Sequence, residues 1–158
     1  KLSPNLLSAR NDSITSATVA ANSSNISYYE VILLTSGSLR VGWKVSNDCG
    51  AVGDDQFSLG FDGSECVIIQ NSLEVKPANI LARCKPGDVI GCLMDSGNHK
   101  FGFTVNGQQI VPEKELVFSA EKQYTAAVTL APYQQCYFNF GQESFRHKPD
   151  SGKLQTKL

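Results

Sequence analysis

Apolar and polar positions alternate through most of the chain. Leu39, Val41, Trp43 and Val45 alternate with Ser38, Arg40, Gly42 and Lys44, a period of two that sets the bulky side chains on one face of a pleated strand. The same stripe returns as Phe57-Leu59-Phe61, Phe101-Phe103-Val105, Tyr124-Ala126-Val128-Leu130 and Cys136-Phe138-Phe140. Two further runs, 28–34 and 89–94, are apolar on both faces and are predicted to be central strands covered on both sides.

Turn-forming residues punctuate these runs at 35–38, 62–63, 85–88, 95–98 and 106–107. Asn106-Gly107 supplies the positive φ angles that a two-residue hairpin demands, so Val105 and Gln108 should face each other across a tight turn. Normal helical periodicity is missing, and residues 112–121 hold one helical turn at most. Many short strands at close, regular spacing predict an all-β chain with little or no helix, folded as an antiparallel sandwich of two sheets. The ends are polar and aperiodic. We therefore expect a flexible N-terminal segment over 1–15, one domain over 16–141, and a C-terminal tail or linker over 142–158.

Composition narrows the function classes. A chain of 158 residues with 41% hydrophobic and 18% charged residues suits one domain with a self-sufficient core. Lys and Arg number 14 against 15 Asp and Glu, and the basic residues are scattered, so the counterion release that drives nucleic-acid binding has no evident source. Apolar runs stop far short of the ~20 residues of a membrane-spanning helix, so no membrane contact is expected. Cys49, Cys66, Cys84, Cys92 and Cys136 are odd in number and dispersed, mostly within strand-like runs, which reads as buried thiols in a reducing, cytoplasmic setting. Asn11, Asn22 and Asn25 open glycosylation-type triplets, read here as chance in a Ser/Asn-rich stretch. Nothing in the pattern specifies an oligomeric state.

Catalytic chemistry is poorly represented. His99 lies in a turn and His147 in the polar tail, neither beside an activated Ser or Cys, and both read as solvated loop residues. The cysteines lack zinc-ligand spacing. Asp54, Asp55, Asp62 and Glu65 gather acidic groups without the alternate-residue spacing of a calcium loop. No cofactor or metal is expected, and a metal-dependent enzyme using Asp54, Asp55 and Asp62 is the weak alternative.

The ordered series Tyr28-Tyr29-Glu30-Val31, Leu39-Arg40-Val41-Gly42-Trp43, VGDDQFSLGFDG from Val52, GDVIGCLMD from Gly87, FTVNGQQI from Phe103 and FNFG from Phe138 resembles the SPRY domain family. PEKELVFSA from Pro112 and YQQCYFNFG from Tyr133 are most similar to SPRY domains of RING-finger-and-SPRY ubiquitin ligases, and VGDDQFSLGFDG is also similar to a SPRY repeat of ryanodine receptors. Residues 64–83 depart from the family pattern: Cys66-Val67-Ile68-Ile69 and a longer linker replace its aromatic-containing strand, and no PRY extension precedes Tyr28.

The resemblance implies a bent, concanavalin-like sandwich whose loops at one end bind a protein or a short peptide without catalysis. It further implies substrate recognition within a ubiquitin ligase, or alternatively docking of neighbouring domains in a large assembly such as a calcium-release channel. Carried over by position, Pro132, Tyr133 and Gln134 fall where peptide-binding members place an aromatic contact, residues 45–55 on the pocket wall, and Gly37 and Ser38 on an adjoining turn. Tyr133 is the expected anchor, since an aromatic side chain gives large contact area at low entropic cost; its alternative is packing over the sandwich end. Asp54 and Asp55 either pair with a basic or amide-bearing ligand or satisfy loop amides. Asn47 and Asp48 offer ligand hydrogen bonds or an ordinary turn, Arg40 is either a pocket cation or, the preferred reading, a solvated strand residue, and Trp43 reads as core.

Overall fold

The computed structural model describes residues 7–10, 15–17, 26–45, 50–79 and 82–148. The twelve strands among them form two six-stranded antiparallel sheets, and no helix occurs in the described residues. The first sheet runs β1 (Leu7–Arg10), β12 (Gln135–Asn139), β3 (Ile26–Leu33), β8 (Val89–Asp95), β9 (Lys100–Val105) and β10 (Gln108–Ile110). The second runs β2 (Thr15–Ala17), β11 (Tyr124–Leu130), β4 (Leu39–Val45), β5 (Leu59–Asp62), β6 (Val67–Gln70) and β7 (Leu73–Val75). This is the all-β sandwich that the alternation predicts.

The register explains the two kinds of apolar run. β3 lies between β12 and β8, so its neighbours cover both edges while the core and an outer layer cover its faces. Tyr29, Val31 and Leu33 point inward; Ile32 points outward and packs with Val89 and Tyr137. β4 sends Leu39, Val41 and Trp43 into the core opposite Leu130, Val128 and Ala126 of β11. Each fully buried aliphatic or aromatic side chain of this kind contributes about 1.5–3 kcal/mol relative to exposure. Tyr29 packs edge-on against Trp43, with ring centroids 5.1 Å apart, and donates its hydroxyl hydrogen to the Gly42 carbonyl.

The hairpin at Asn106-Gly107 forms as expected, with Val105 opposite Gln108 and φ values of 49° and 80° at the two turn residues. Residues 112–121 contain no helix, in keeping with the one turn at most that their sequence allows. Other expectations change. Phe57 lies before β5 begins and holds the Lys122 ammonium 4.5 Å from its ring centre instead of extending the strand stripe. Within 1–15, which showed no periodicity, residues 7–10 pair with β12, and Thr15 begins a strand paired with β11, because edge strands need only main-chain complementarity. The described part of the expected tail, 142–148, lies against the outer face of the first sheet, with Arg146 and His147 N–H groups donating to Glu30.

Strand polarity sets which loops meet. Residues 34–38, 63–66, 85–88, 106–107 and 131–134 gather at one end of the sandwich, as shown by Leu39 opposite Leu130, Gly63 N–H on the Leu39 carbonyl and Asn106 N–H on the Val89 carbonyl. On one side, the last strand of each sheet leads into proline: Pro77 beyond β7 bridges Pro112 beyond β10, and the Asn79 side chain binds the Gln109 carbonyl and the Val111 N–H.

Candidate functional site

At the gathered end, Ala131-Pro132-Tyr133-Gln134 forms a tight turn closed by Gln134 N–H donating to the Ala131 carbonyl at 3.1 Å. Proline presets the second position, and Tyr133 occupies the third with φ +67°, the arrangement of a type II turn. That third position normally belongs to Gly or Asn, because a Cβ is crowded there. Tyr133 is nevertheless 81% exposed, so core packing does not hold it in that conformation.

The neighbouring loop braces the turn. The Thr35 hydroxyl donates to Gln134 Oε1 at 3.0 Å and accepts from Gln135 N–H at 2.8 Å, while Ala131 N–H donates to the Ser38 carbonyl at 3.1 Å. Gly37, at φ +134°, lies flat beneath the Gln134 amide; a Cβ there would collide with that amide. Gly37, Ser38, Pro132, Tyr133 and Gln134 thus lie together in one assembly. Leu34 joins it, 48% exposed, its N–H on the Gln135 carbonyl. The sequence signal for Leu34 was its place as the last apolar residue before the turn. Thr35 carried no signal, because its role depends on a partner a hundred residues away.

The acidic residues lie elsewhere. Residues 50–58 cross the outer face of the second sheet: Val52 N–H donates to Thr129 Oγ1, and the Gly53 carbonyl accepts from Ser72 N–H. Asp54 binds Arg40 Nη1 at 2.7 Å, and Arg40 Nε reaches Asp62 at 3.4 Å, so Arg40 is an ion-pairing bridge under this loop and not a freely solvated strand residue. Asp55 accepts from Phe57 N–H and lies 3.9 Å from the buried Lys44 ammonium, which donates to the Gly50 carbonyl. Asp62 also accepts from Ser64 N–H, Ser64 Oγ and Glu65 N–H. These carboxylates serve loop amides and the protein's own cations. Asn47, Asp48 and Cys49 lie outside the described residues.

Among the described residues, no group of three His, Cys, Asp or Glu side chains is placed to hold a metal ion. His99 is not merely solvated, since it stacks on Phe118 with centroids 5.4 Å apart. Burial pushes the thiols of Cys84 and Cys92 up to about 12, which keeps both protonated near neutrality. No helix among the described residues is long and apolar enough to cross a membrane.

Comparison with known proteins agrees with this architecture. The family model described as "SPRY domain" matches residues 26–143. The chain is 27% identical over 125 residues to the ATP-dependent RNA helicase Ddx1 of Drosophila melanogaster, covering 79% of this chain and 17% of the helicase. It is 28% identical over 125 residues to the ATP-dependent RNA helicase DDX1 of Xenopus laevis, covering 79% and 16%. It is 28% identical over 120 residues to the probable ATP-dependent RNA helicase ddx1 of Dictyostelium discoideum, covering 76% and 15%. The chain therefore spans about a sixth of the length of these relatives, none of which is named as a ubiquitin ligase or a channel. With the match running from the start of β3 past the end of β12, the chain belongs to the SPRY domain family of protein-interaction modules.

Proposed function

We propose that this domain binds an extended segment of a partner protein at the rim formed by residues 34–38 and 131–134, with Tyr133 as the anchoring side chain. The observation that carries this reading is the backbone of Tyr133: an aromatic residue kept at φ +67° with its ring in solvent. Strain at an exposed side chain persists where it positions that side chain for use. Leu34 extends the apolar contact, and the Thr35–Gln134 brace keeps the surface preformed, which lowers the ordering cost of binding. A formal charge of −1 and the engagement of Arg40 by Asp54 and Asp62 favour protein over nucleic acid as the ligand.

The rim acts as the recognition part of a longer polypeptide whose chemistry lies in another domain. The relatives, of each of which the matched stretch covers only 15–17% and all of which are named as helicases, support a helicase as that neighbour. The segments from Pro112 and Tyr133 support a ubiquitin ligase as the second reading. Proximity labelling with wild type and Tyr133→Ala in parallel identifies the partner segment, and calorimetry with that segment tests the site. Tyr133→Ala should lose about 2 kcal/mol of binding, roughly thirtyfold, with folding intact. A parallel loss of folding would place Tyr133 in the core and reject the reading.

A further inference from the structure

Glu30 sits in the middle of β3 on the outer face of the first sheet, yet it is fully buried. What buries it is the chain's own segment. Glu30 Oε2 accepts from Arg146 N–H at 2.8 Å and Oε1 from His147 N–H at 2.7 Å. Tyr28, two residues earlier on the same face, donates its hydroxyl to the His147 carbonyl at 3.0 Å, and its ring meets Phe145 edge-on with centroids 4.9 Å apart. Gly91, opposite Glu30 on β8, makes room for this: a Cβ there would strike the Tyr28 ring and hydroxyl. Burial first, then the Glu30 charge, push the Tyr28 phenol well above its ordinary range, so it remains a donor.

Phe145, Arg146 and His147 are therefore held as a bound peptide would be. Two consecutive main-chain N–H groups go to one carboxylate, one main-chain carbonyl goes to a phenol, and one aromatic ring is seated on another, while the Arg146 side chain stays exposed. Main-chain capture of this kind reads a bent backbone whose two consecutive N–H groups face the same way, with one aromatic anchor and little else of the sequence. Among the described residues, no Lys, Arg or His side chain forms an ion pair with Glu30, so the carboxylate relies on the N–H donors of Arg146 and His147. A buried charge without a counter-charge regains hydration when uncovered, which keeps the cost of lifting the segment low.

We propose that the outer face of the first sheet around Tyr28, Glu30 and Gly91 is a second peptide-binding groove, filled in cis by Phe145–His147 and open to a partner segment with an aromatic residue followed by two main-chain N–H groups. The resident segment competes at the effective concentration of a short tether, so a partner gains access when the strap lifts.

Hydrogen exchange on the whole chain and a fluorescent peptide with the sequence of residues 142–148 test this. Arg146 and His147 amides should exchange by local opening, about a hundredfold faster than the ladder amides of β3 and β8. Exchange as slow as those strands would make the segment a fixed part of the fold and overturn the proposal. The peptide should bind Phe145→Ala at least about tenfold more tightly than wild type, and Glu30→Gln added to that variant should abolish the gain. A folded Phe145→Ala chain that ignores the peptide overturns the groove. If Phe145→Ala does not fold, trypsin cleavage after Arg146 in wild type decides: acceleration by excess peptide supports displacement, and an unchanged rate opposes it. A wild-type dimer that grows with concentration and loses the exchange signature assigns the face to strap swapping between copies and rejects the partner segment.

Discussion

The Thr35 hydroxyl stands between Gln134 and Gln135, donating to the side chain of the first and accepting from the main chain of the second. This joins the two loops of the rim and leaves the intervening turn no freedom to relax the strained conformation at Tyr133. Replacing Tyr133 by glycine separates strain from recognition. Tyr133→Gly should hold or raise stability by about 1 kcal/mol, some 2–4 °C in Tm, while binding falls as for alanine. Calorimetric scanning beside a binding isotherm measures both, and a falling Tm would show that the ring contributes packing.

Arg40 serves two carboxylates of unequal exposure, Asp54 at 45% and Asp62 at 7%. Solvent screens the first pair, so its coupling should be below about 1 kcal/mol despite the shorter distance. Asp62 keeps donors from Ser64 and Glu65 when Arg40 is lost. Arg40→Leu should cost about 1–2 kcal/mol in all. Double-mutant cycles with Asp54→Asn and Asp62→Asn in urea unfolding will resolve the two pairs; a larger coupling to Asp54 would contradict the screening argument.

Trp43 is fully buried, and its indole N–H has no hydrogen-bond partner. Trp43→Ala should lose about 3–5 kcal/mol through the cavity it leaves. Trp43→Phe also removes the unsatisfied donor, so its smaller cavity is partly offset and the loss should stay near 1–2 kcal/mol. Chemical denaturation of both variants orders them; equal losses would mean that the N–H finds a partner in solution.

Burial raises the Cys92 and Cys84 thiols from the ordinary 9.0 to about 12. Below pH 9 both folded and unfolded thiols are protonated, and the contribution to stability is complete. Between pH 9 and 12 the unfolded thiols ionise first, so the native state holds more protons and stability falls as pH rises. Tyr29, shifted the same way by burial, adds to the fall above pH 10. Urea midpoints from pH 8 to 11 should drop, and Cys92→Ala should flatten the slope. An unchanged slope would exclude Cys92 as a source.

What was legible in the sequence is what strand geometry encodes locally. The Leu39–Val41–Trp43 stripe, the two-faced run through β3 and the Asn106-Gly107 hairpin each follow from side-chain period or turn chemistry within a few residues. Tyr133 was legible as an exposed aromatic beside proline, though its positive φ was not. The illegible parts are contacts between distant segments through main-chain groups. Glu30 hides inside an apolar run because its donors are the N–H groups of Arg146 and His147, which every residue but proline carries. Asp54 resembled a ligand-binding acid because its partner, Arg40, lies on a strand that alternation alone leaves facing water. The resemblance to ubiquitin ligases rests on two short segments, whereas the helicase similarity extends over 76–79% of the chain.

The meeting of Pro77 with Pro112 bears on how this margin of the sandwich meets other proteins. On the side where β7 and β10 each end two residues short of an imino acid, the sandwich offers little ladder for another chain to copy. Such a margin can lie against a neighbouring protein without zipping onto it strand to strand.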